Sequence, residues 1–217
     1  MQVTGKVVVV TGGGNGIGKA MCEAFHRAGA ARVVVADIDP DGARTVATPI
    51  GGAAFKCDVG KEKDILHVIE ETEHQFGPIA LFCSNAGIGG GFDPMSVNAG
   101  GTSDEPWSRS WAVHVMAHVY AVRAVAPKMV ERGGGYLIHT ASAAGLLSHI
   151  QSASYATTKH AAVAFAEWVA IKYRDKGIRA TTILPAEVDT PILDRRPLPP
   201  DARARSTMMQ PDDVARA

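Results

Sequence analysis

The stretch Val7-Val8-Val9-Val10-Thr11-Gly12-Gly13-Gly14-Asn15-Gly16-Ile17-Gly18 decides the fold. Four β-branched apolar residues in an unbroken run suit a parallel strand buried on both faces. Gly12 to Gly14 break that strand. A helical pattern follows from Gly16 to Arg27, and Gly29 is placed to end it. Glycines between a buried strand and a helix let backbone approach a pyrophosphate. The free N–H groups and positive dipole end of the helix then face that group. Gly12, Asn15, Gly16, Ile17 and Gly18 are therefore candidate cofactor-binding residues. Their spacing is G-x-x-x-G-x-G rather than the commoner G-x-G-x-x-G.

Outward from this turn, strands and helices alternate. Arg32 to Ala36 reads as a second strand, ending at Asp37, and Asp39-Pro40-Asp41 starts a short helix. Ala53 to Cys57 is a third strand, Lys61 to Gln75 a helix and Ile79 to Cys83 a fourth strand. After a Gly-rich loop, Ser103-Asp104-Glu105-Pro106 has the marks of a helix start. That helix can reach Glu131, with a kink at Pro127. Tyr136 to Thr140, a helix over 154–176, and Ile178 to Leu184 complete the series. The order implies an α/β fold: a doubly wound parallel sheet with helices on both faces and right-handed crossovers. No linker divides the first 190 residues, so residues 1–217 are expected to be one domain, with 190–209 a mobile substrate loop. Gln210-Pro211-Asp212-Asp213 starts a fresh helix with only four residues after it. So short a helix cannot hold itself in water. A last helix and strand are expected to be lacking or disordered.

Asp37 ends strand two, 19 residues past Gly18. A carboxylate there accepts hydrogen bonds from both adenosine ribose hydroxyls and repels a 2′-phosphate. NAD rather than NADP is the expected cofactor. Asp58, after strand three, either reaches the adenine amine or is a plain loop carboxylate. Tyr155 and Lys159 lie four apart on a predicted helix, hence on one face. A tyrosine must lose about three pKa units, about 4 kcal/mol, to act as a base near neutrality. A positive charge at about 4 Å in a medium of effective dielectric about 20 supplies roughly that. Lys159 can thus activate Tyr155 as a general acid/base. Ser142 follows strand five, at the sheet edge where such sites open, and its hydroxyl could hold a substrate oxygen.

Composition narrows the alternatives. The 217 residues carry 22 Lys+Arg against 22 Asp+Glu, with 46% hydrophobic and 20% charged residues. Zero net charge without a basic cluster argues against a nucleic-acid platform. No apolar stretch reaches the roughly 18 residues of a membrane span. Cys22, Cys57 and Cys83 are odd in number, far apart and lack a Cys-x-x-Cys pair. That fits a reducing compartment, the cytoplasm, and not a disulfide frame or zinc cluster.

Taken in order, Thr11-Gly12-x-x-x-Gly16-x-Gly18, Asp58-Val59, Asn85-Ala86-Gly87, Ser142, Tyr155-x-x-x-Lys159, and Pro185 with Thr190-Pro191 resemble the short-chain dehydrogenase/reductase family. The likeness spans essentially the whole chain. It implies an NAD-dependent interconversion of a secondary alcohol and a ketone. Tyr155 would move the proton, Ser142 orient the substrate oxygen, and Lys159 hold the nicotinamide ribose. Asp58, Val59, Asn85, Ala86, Gly87, Pro185, Val188 and Thr190 would line the cofactor channel.

Three departures stand out. His114 occupies the helix position where the family often has an Asn of a proton relay. It either serves that relay, bringing its own titration, or merely packs. Pro185-Ala186 replaces the usual Pro-Gly, and the family normally continues for a further helix and a seventh strand. Ala161 to Ile171 has one charge in eleven residues. A helix apolar all round needs cover on every side. A homodimer or homotetramer face shared with the helix of Trp107 to Glu131 would supply it, as would the chain's own loops. A catalytically weak NAD-binding sensor or scaffold is the alternative function; an epimerase or dehydratase on a sugar nucleotide fits the glycine spacing less well. The segments expected to form the substrate pocket are Gly-, Ala-, Pro- and Met-rich, which suits an uncharged, partly apolar alcohol.

Overall fold

Val7–Thr11 forms β1, wholly buried, and pairs in parallel on both of its edges. The computed structural model describes residues 2–90, 103–149, 152–195 and 208–216. One neighbour of β1 is β2 (Arg32–Asp37) and the other is β4 (Ile79–Ser84). With β3 (Ala53–Lys56), β5 (Gly135–Thr140) and β6 (Ile178–Ile183), the sheet order is β3-β2-β1-β4-β5-β6, every pair parallel. Winding reverses direction between β1 and β4. In open α/β sheets a crevice opens there, beyond the carboxyl ends of the strands.

The alternation of β1 builds two cores. Val7 and Val9 pack with α3 (Glu62–Phe76), α5 (Ala117–Glu131) and the Val169 turn of α6 (Ala153–Tyr173). Val8 and Val10 face α1 (Gly16–Arg27) and α2 (Pro40–Ala47) on the opposite side. Asp39 caps α2 by accepting the Asp41 N–H at 3.1 Å, and Pro40 occupies the first turn, where its missing N–H costs nothing.

The long helix expected from Ser103 to Glu131 differs in its middle. α4 (Asp104–Trp111) passes into a widened π turn at Ala112–Met116 before α5 begins. The Ala117 N–H bonds the Ala112 carbonyl, five residues back. The helix runs on through Pro127, so the irregularity lies around His114 instead. The short C-terminal helix, α7 (Pro211–Arg216), does not stand alone either. It packs on α1 and buries Val214. Tertiary contact thus replaces the missing length.

The loop expected to be mobile over 190–209 is structured at both described ends. Pro191–Arg195 makes a 3-10 turn, and Met209 pairs with Val188 through bonds to Glu187 and Asp189. Residues 196–207 lie outside the described residues, as do 91–102 of the Gly-rich loop after β4. Among the described residues no helix is long and apolar enough to cross a membrane. The three cysteines are free and buried.

Candidate active site

A cleft of about 800 Å³ opens where the winding reverses. Its walls carry Gly12, Asn15 to Gly18, Asp37, Asp58, Val59 and Asn85 to Gly87 at one end. Ser142, Tyr155, Lys159, Pro185, Val188 and Thr190 stand at the other.

At the glycine end the fit is tight. Gly12 has φ +64°, and a Cβ there would meet the Ala86 Cα at 2.7 Å. A Cβ on Gly18 would run into the Gly12 carbonyl oxygen. Neither place admits a side chain. Thr11 and Asn85 clamp the turn from the neighbouring strand. The Thr11 hydroxyl donates to the Cys83 carbonyl at 3.2 Å and accepts the Asn85 N–H at 3.0 Å. The Asn85 amide donates to the carbonyls of Thr11 (3.1 Å) and Gly12 (3.3 Å). Asn85 thus shapes the turn as well as lining the cleft. Asn15 starts α1 without a side-chain cap. The first N–H groups of α1 therefore face a cradle with room for phosphate.

Asp37 is buried. Its carboxylate accepts the Gly14 N–H at 2.8 Å and the Asp39 N–H at 3.0 Å. It joins strand end to glycine turn, in the position that suits a ribose and not a second phosphate. Asp58 accepts the Gly60 N–H at 3.1 Å and pairs with Lys61 at 2.9 Å. Its pKa is lowered chiefly by the Lys61 hydrogen bond. A steep glycine cradle, a buried carboxylate and a long two-ended cleft fit a dinucleotide.

At the other end Ser152 caps α6 through the Tyr155 N–H (3.3 Å) and donates to the Gly90 carbonyl at 2.9 Å. Tyr155 therefore enters the cleft from a pinned first turn. Lys159, one turn on, is buried, and its Nζ lies 5.6 Å from the centre of the Tyr155 ring. It donates to the Thr140 carbonyl at 3.5 Å. Burial pushes the Lys159 ammonium down to about 8. Ser142 caps the 3-10 turn after β5, accepting the Ala144 N–H at 3.1 Å, and lines the same cleft.

His114 is placed differently from the other expected groups. It is fully buried and does not line the cleft. Its ring lies edge-on to that of Tyr155, with centres 5.3 Å apart. Nδ1 is 2.9 Å from the Thr158 hydroxyl, and Nε2 faces the N–H (3.1 Å) and carbonyl (3.0 Å) of Ile88. Thr158 in turn donates to the Ser154 carbonyl at 2.7 Å. With Nδ1 protonated, the imidazole donates to Thr158 and accepts the Ile88 N–H, so each ring nitrogen has a partner, and the Ile88 carbonyl accepts nothing from the ring. Burial first, then the Lys159 charge, hold its pKa well below the usual imidazole value. It is a neutral strut between the loop after β4 and the helix carrying Tyr155.

The sequence reading did not single out Thr158, Ile88 or His149. Thr158 immediately precedes Lys159, so helical spacing could have flagged it. His149 also lines the cleft, its ring centre 5.9 Å from that of Tyr155. A second imidazole pair lies deeper: His118 Nδ1 and His139 Nδ1 are 2.9 Å apart in the core, joining α5 to β5.

Comparison with known proteins follows this geometry. A family model described as short chain dehydrogenase matches residues 6–199. A 2,5-dichloro-2,5-cyclohexadiene-1,4-diol dehydrogenase of Sphingobium indicum is 34% identical over 197 residues, 89% of this chain and 77% of its own. Among solved structures, a 3-ketoacyl-(acyl-carrier-protein) reductase from Brucella melitensis complexed with NADH superposes with a TM-score of 0.88. It is 29% identical, covering 99% of this chain and 89% of its own. A short chain dehydrogenase/reductase from Burkholderia phymatum in complex with NAD gives 0.85 at 28% identity, covering 100% and 85%.

Proposed function

The chain belongs to the short-chain dehydrogenase/reductase family, and from that premise we propose that Tyr155 moves the proton when this NAD-dependent oxidoreductase interconverts an alcohol and a ketone. NAD, when bound, supplies the acceptor for the hydride leaving the alcohol carbon. The turn from Gly12 to Gly18 and the N-terminus of α1 hold its pyrophosphate, and Asp37 its adenosine ribose. Asp58 and Val59 border the adenine. Asn85, Ala86, Gly87, Pro185, Val188 and Thr190 border the nicotinamide half, whose ribose Lys159 holds.

In the oxidation direction the Tyr155 phenolate takes the hydroxyl proton, and Ser142 donates to the substrate oxygen and fixes its place. A charge 5.6 Å from the ring, as Lys159 provides, contributes about 3 kcal/mol at an effective dielectric of about 20. That is most of the roughly 4 kcal/mol needed to make a phenol basic near neutrality. His114 acts through Tyr155 and Thr158 and is a positioning residue.

One observation carries this reading: Ser142, Tyr155 and Lys159 share a single cleft with the glycine turn. The test is Tyr155→Phe. NADH binding, followed by fluorescence, should persist while turnover falls at least about 1,000-fold. Full activity in this variant would reject the mechanism. The sensor or scaffold alternative gains nothing from His114, whose neutral strut geometry serves a working Tyr155 equally well.

The walls beyond the reacting groups are largely aliphatic: Ile88, Ala143, Ala144, Ile192 and Leu193. They suit a neutral, partly apolar secondary alcohol. The Sphingobium relative is named for a ring diol, and carried to this chain that supports an alicyclic substrate. The described elements share one sheet, in keeping with one domain. Trp111, Trp168 and Ile171 are exposed on α4 and α6. They support a homodimer or homotetramer built on these helices, which sedimentation at micromolar protein would reveal. Three free, buried thiols suit the cytoplasm.

A further inference from the structure

We propose that His149 is a specificity-determining residue, which selects alicyclic alcohols bearing a second ring oxygen, a cyclic diol or hydroxyketone. The proposal rests on the reading of Tyr155 and Ser142 as the groups holding the reacting oxygen.

His149 sits near the end of the loop joining β5 to α6, with Ser142 at the start of that loop. Its position is fixed locally. Its carbonyl accepts the Ser152 N–H at 3.2 Å, and Ser152 is the residue that caps α6 and reaches across to Gly90. The imidazole thus moves with the turn that carries Tyr155. It stands in the cleft at 5.9 Å between ring centres and 61° between ring planes. Ala143, Ala144, Ile192 and Leu193 provide aliphatic wall around it. In such pockets a few placed polar groups fix orientation and decide specificity, while the apolar surface supplies affinity. With the reacting oxygen on Tyr155 and Ser142, the ring of the substrate lies against the aliphatic wall. An oxygen elsewhere on that ring meets the imidazole through Nε2, since Nδ1 is buried, and Nε2 donates or accepts according to the tautomer. A hydrogen bond made to the substrate separates it from the analogue lacking the oxygen more sharply than one extra methylene does.

The test compares kcat/KM for cyclohexanol with the values for cyclohexane-1,2-diol and cyclohexane-1,4-diol, using NAD, in wild type, His149→Leu and His149→Asn. Wild type should favour at least one diol by about tenfold, the scale of one net hydrogen bond. His149→Leu should erase that preference, chiefly through KM, while cyclohexanol changes less than about threefold. His149→Asn, which keeps a donor and an acceptor, should restore part of it. Direct titration of the NADH complex of each variant, made in the Tyr155→Phe background, with 4-hydroxycyclohexanone and with cyclohexanone should show the same difference in binding without turnover. A diol preference absent in wild type, or equal losses on all three alcohols in His149→Leu, would overturn the proposal. Equal losses would make His149 a support for Tyr155. If no alcohol in the panel reduces NAD in wild type, the proposal falls together with the reading beneath it; that outcome differs from a retained cyclohexanol activity with an unchanged ratio.

Discussion

His114 and His118 stand four residues apart on one helical run, and both are buried and held neutral, yet they belong to different machines. His114 faces the cleft side. Its nitrogens meet Thr158 and Ile88, its ring edges Tyr155, and Lys159 lies close enough to depress it. His118 faces the sheet. It pairs with His139, which packs on Phe165, and the Lys159 charge reaches it as well, behind burial and His139, in holding its pKa down. Burial drives the pKa down in both places. On the proposed mechanism, what separates them is whether the neutral ring supports a group that must change charge. Near the cleft, buried polarity braces the helix that carries Tyr155. In the core it ties β5 to α5 and brings a liability in acid.

The largest contrast should come from Lys159→Met. Turnover should fall by at least about 100-fold, because Tyr155 loses its charge partner. Stability of the cofactor-free protein should rise instead. The Lys159 pKa falls from 10.5 to about 8 on folding, which at about 1.4 kcal/mol per unit is a penalty of about 3 kcal/mol. The penalty is complete below about pH 8, shrinks as pH rises, and vanishes above about 10.5. Urea melts at pH 7 and pH 10 check this. A variant less stable than wild type at pH 7 would mean the ammonium is not desolvated.

His114→Ala should cost about tenfold in kcat with little change in KM, and His114→Asn should recover most of it. An amide also offers a donor and an acceptor to Thr158 and Ile88. Because the imidazole stays neutral, the acid limb of the pH–rate profile should not move. If that limb shifts in His114→Asn, His114 titrates in the working range and is more than a strut.

His139→Leu should have the smallest effect on turnover, less than about threefold at pH 7.5. Its effect belongs to acid stability. The pKa of His139 drops from 6.5 to about 4 through burial. Below about pH 6.5 the unfolded chain therefore takes up a proton that the folded chain refuses. Wild type should lose up to about 3 kcal/mol from this residue between about pH 6.5 and 4. The variant should show a flatter acid limb. A limb as steep as wild type's would assign acid sensitivity elsewhere.

The two histidines also show what local pattern can and cannot disclose. The glycine turn, Asp37 and the Tyr155–Lys159 pair were legible because each depends on residues close in sequence or on a strand end of known polarity. The strands were legible to within a residue or two for the same reason. The role of His114 was not. It depends on a π turn, which has no composition of its own, and on Ile88 and Thr158, which are 26 and 44 residues away. The partner of His118 lies 21 residues on, across a strand. His149 was hidden because its neighbours in the chain carry no periodicity. Likewise Ala161 to Ile171 reads as apolar all round, yet the fold covers Ala162, Val163, Ala166 and Val169 and leaves Trp168 and Ile171 open. Hydropathy alone does not tell a face covered by the same chain from one left for another copy.

The widened turn at Ala112–Met116 has one more consequence, for how this helix tolerates change in length. It holds one residue beyond what regular winding would need. Deleting a single residue there should therefore not break the helix but return it to regular winding, with α4 and α5 keeping the faces they now present. Arg109 would stay on the cleft wall and Ser110 in its buried seat, while α5 kept its grip on the sheet and only the seating of His114 within the turn changed. Among homologues, a one-residue gap at this point would mark a change confined to the turn, with the helices on either side of it unaltered.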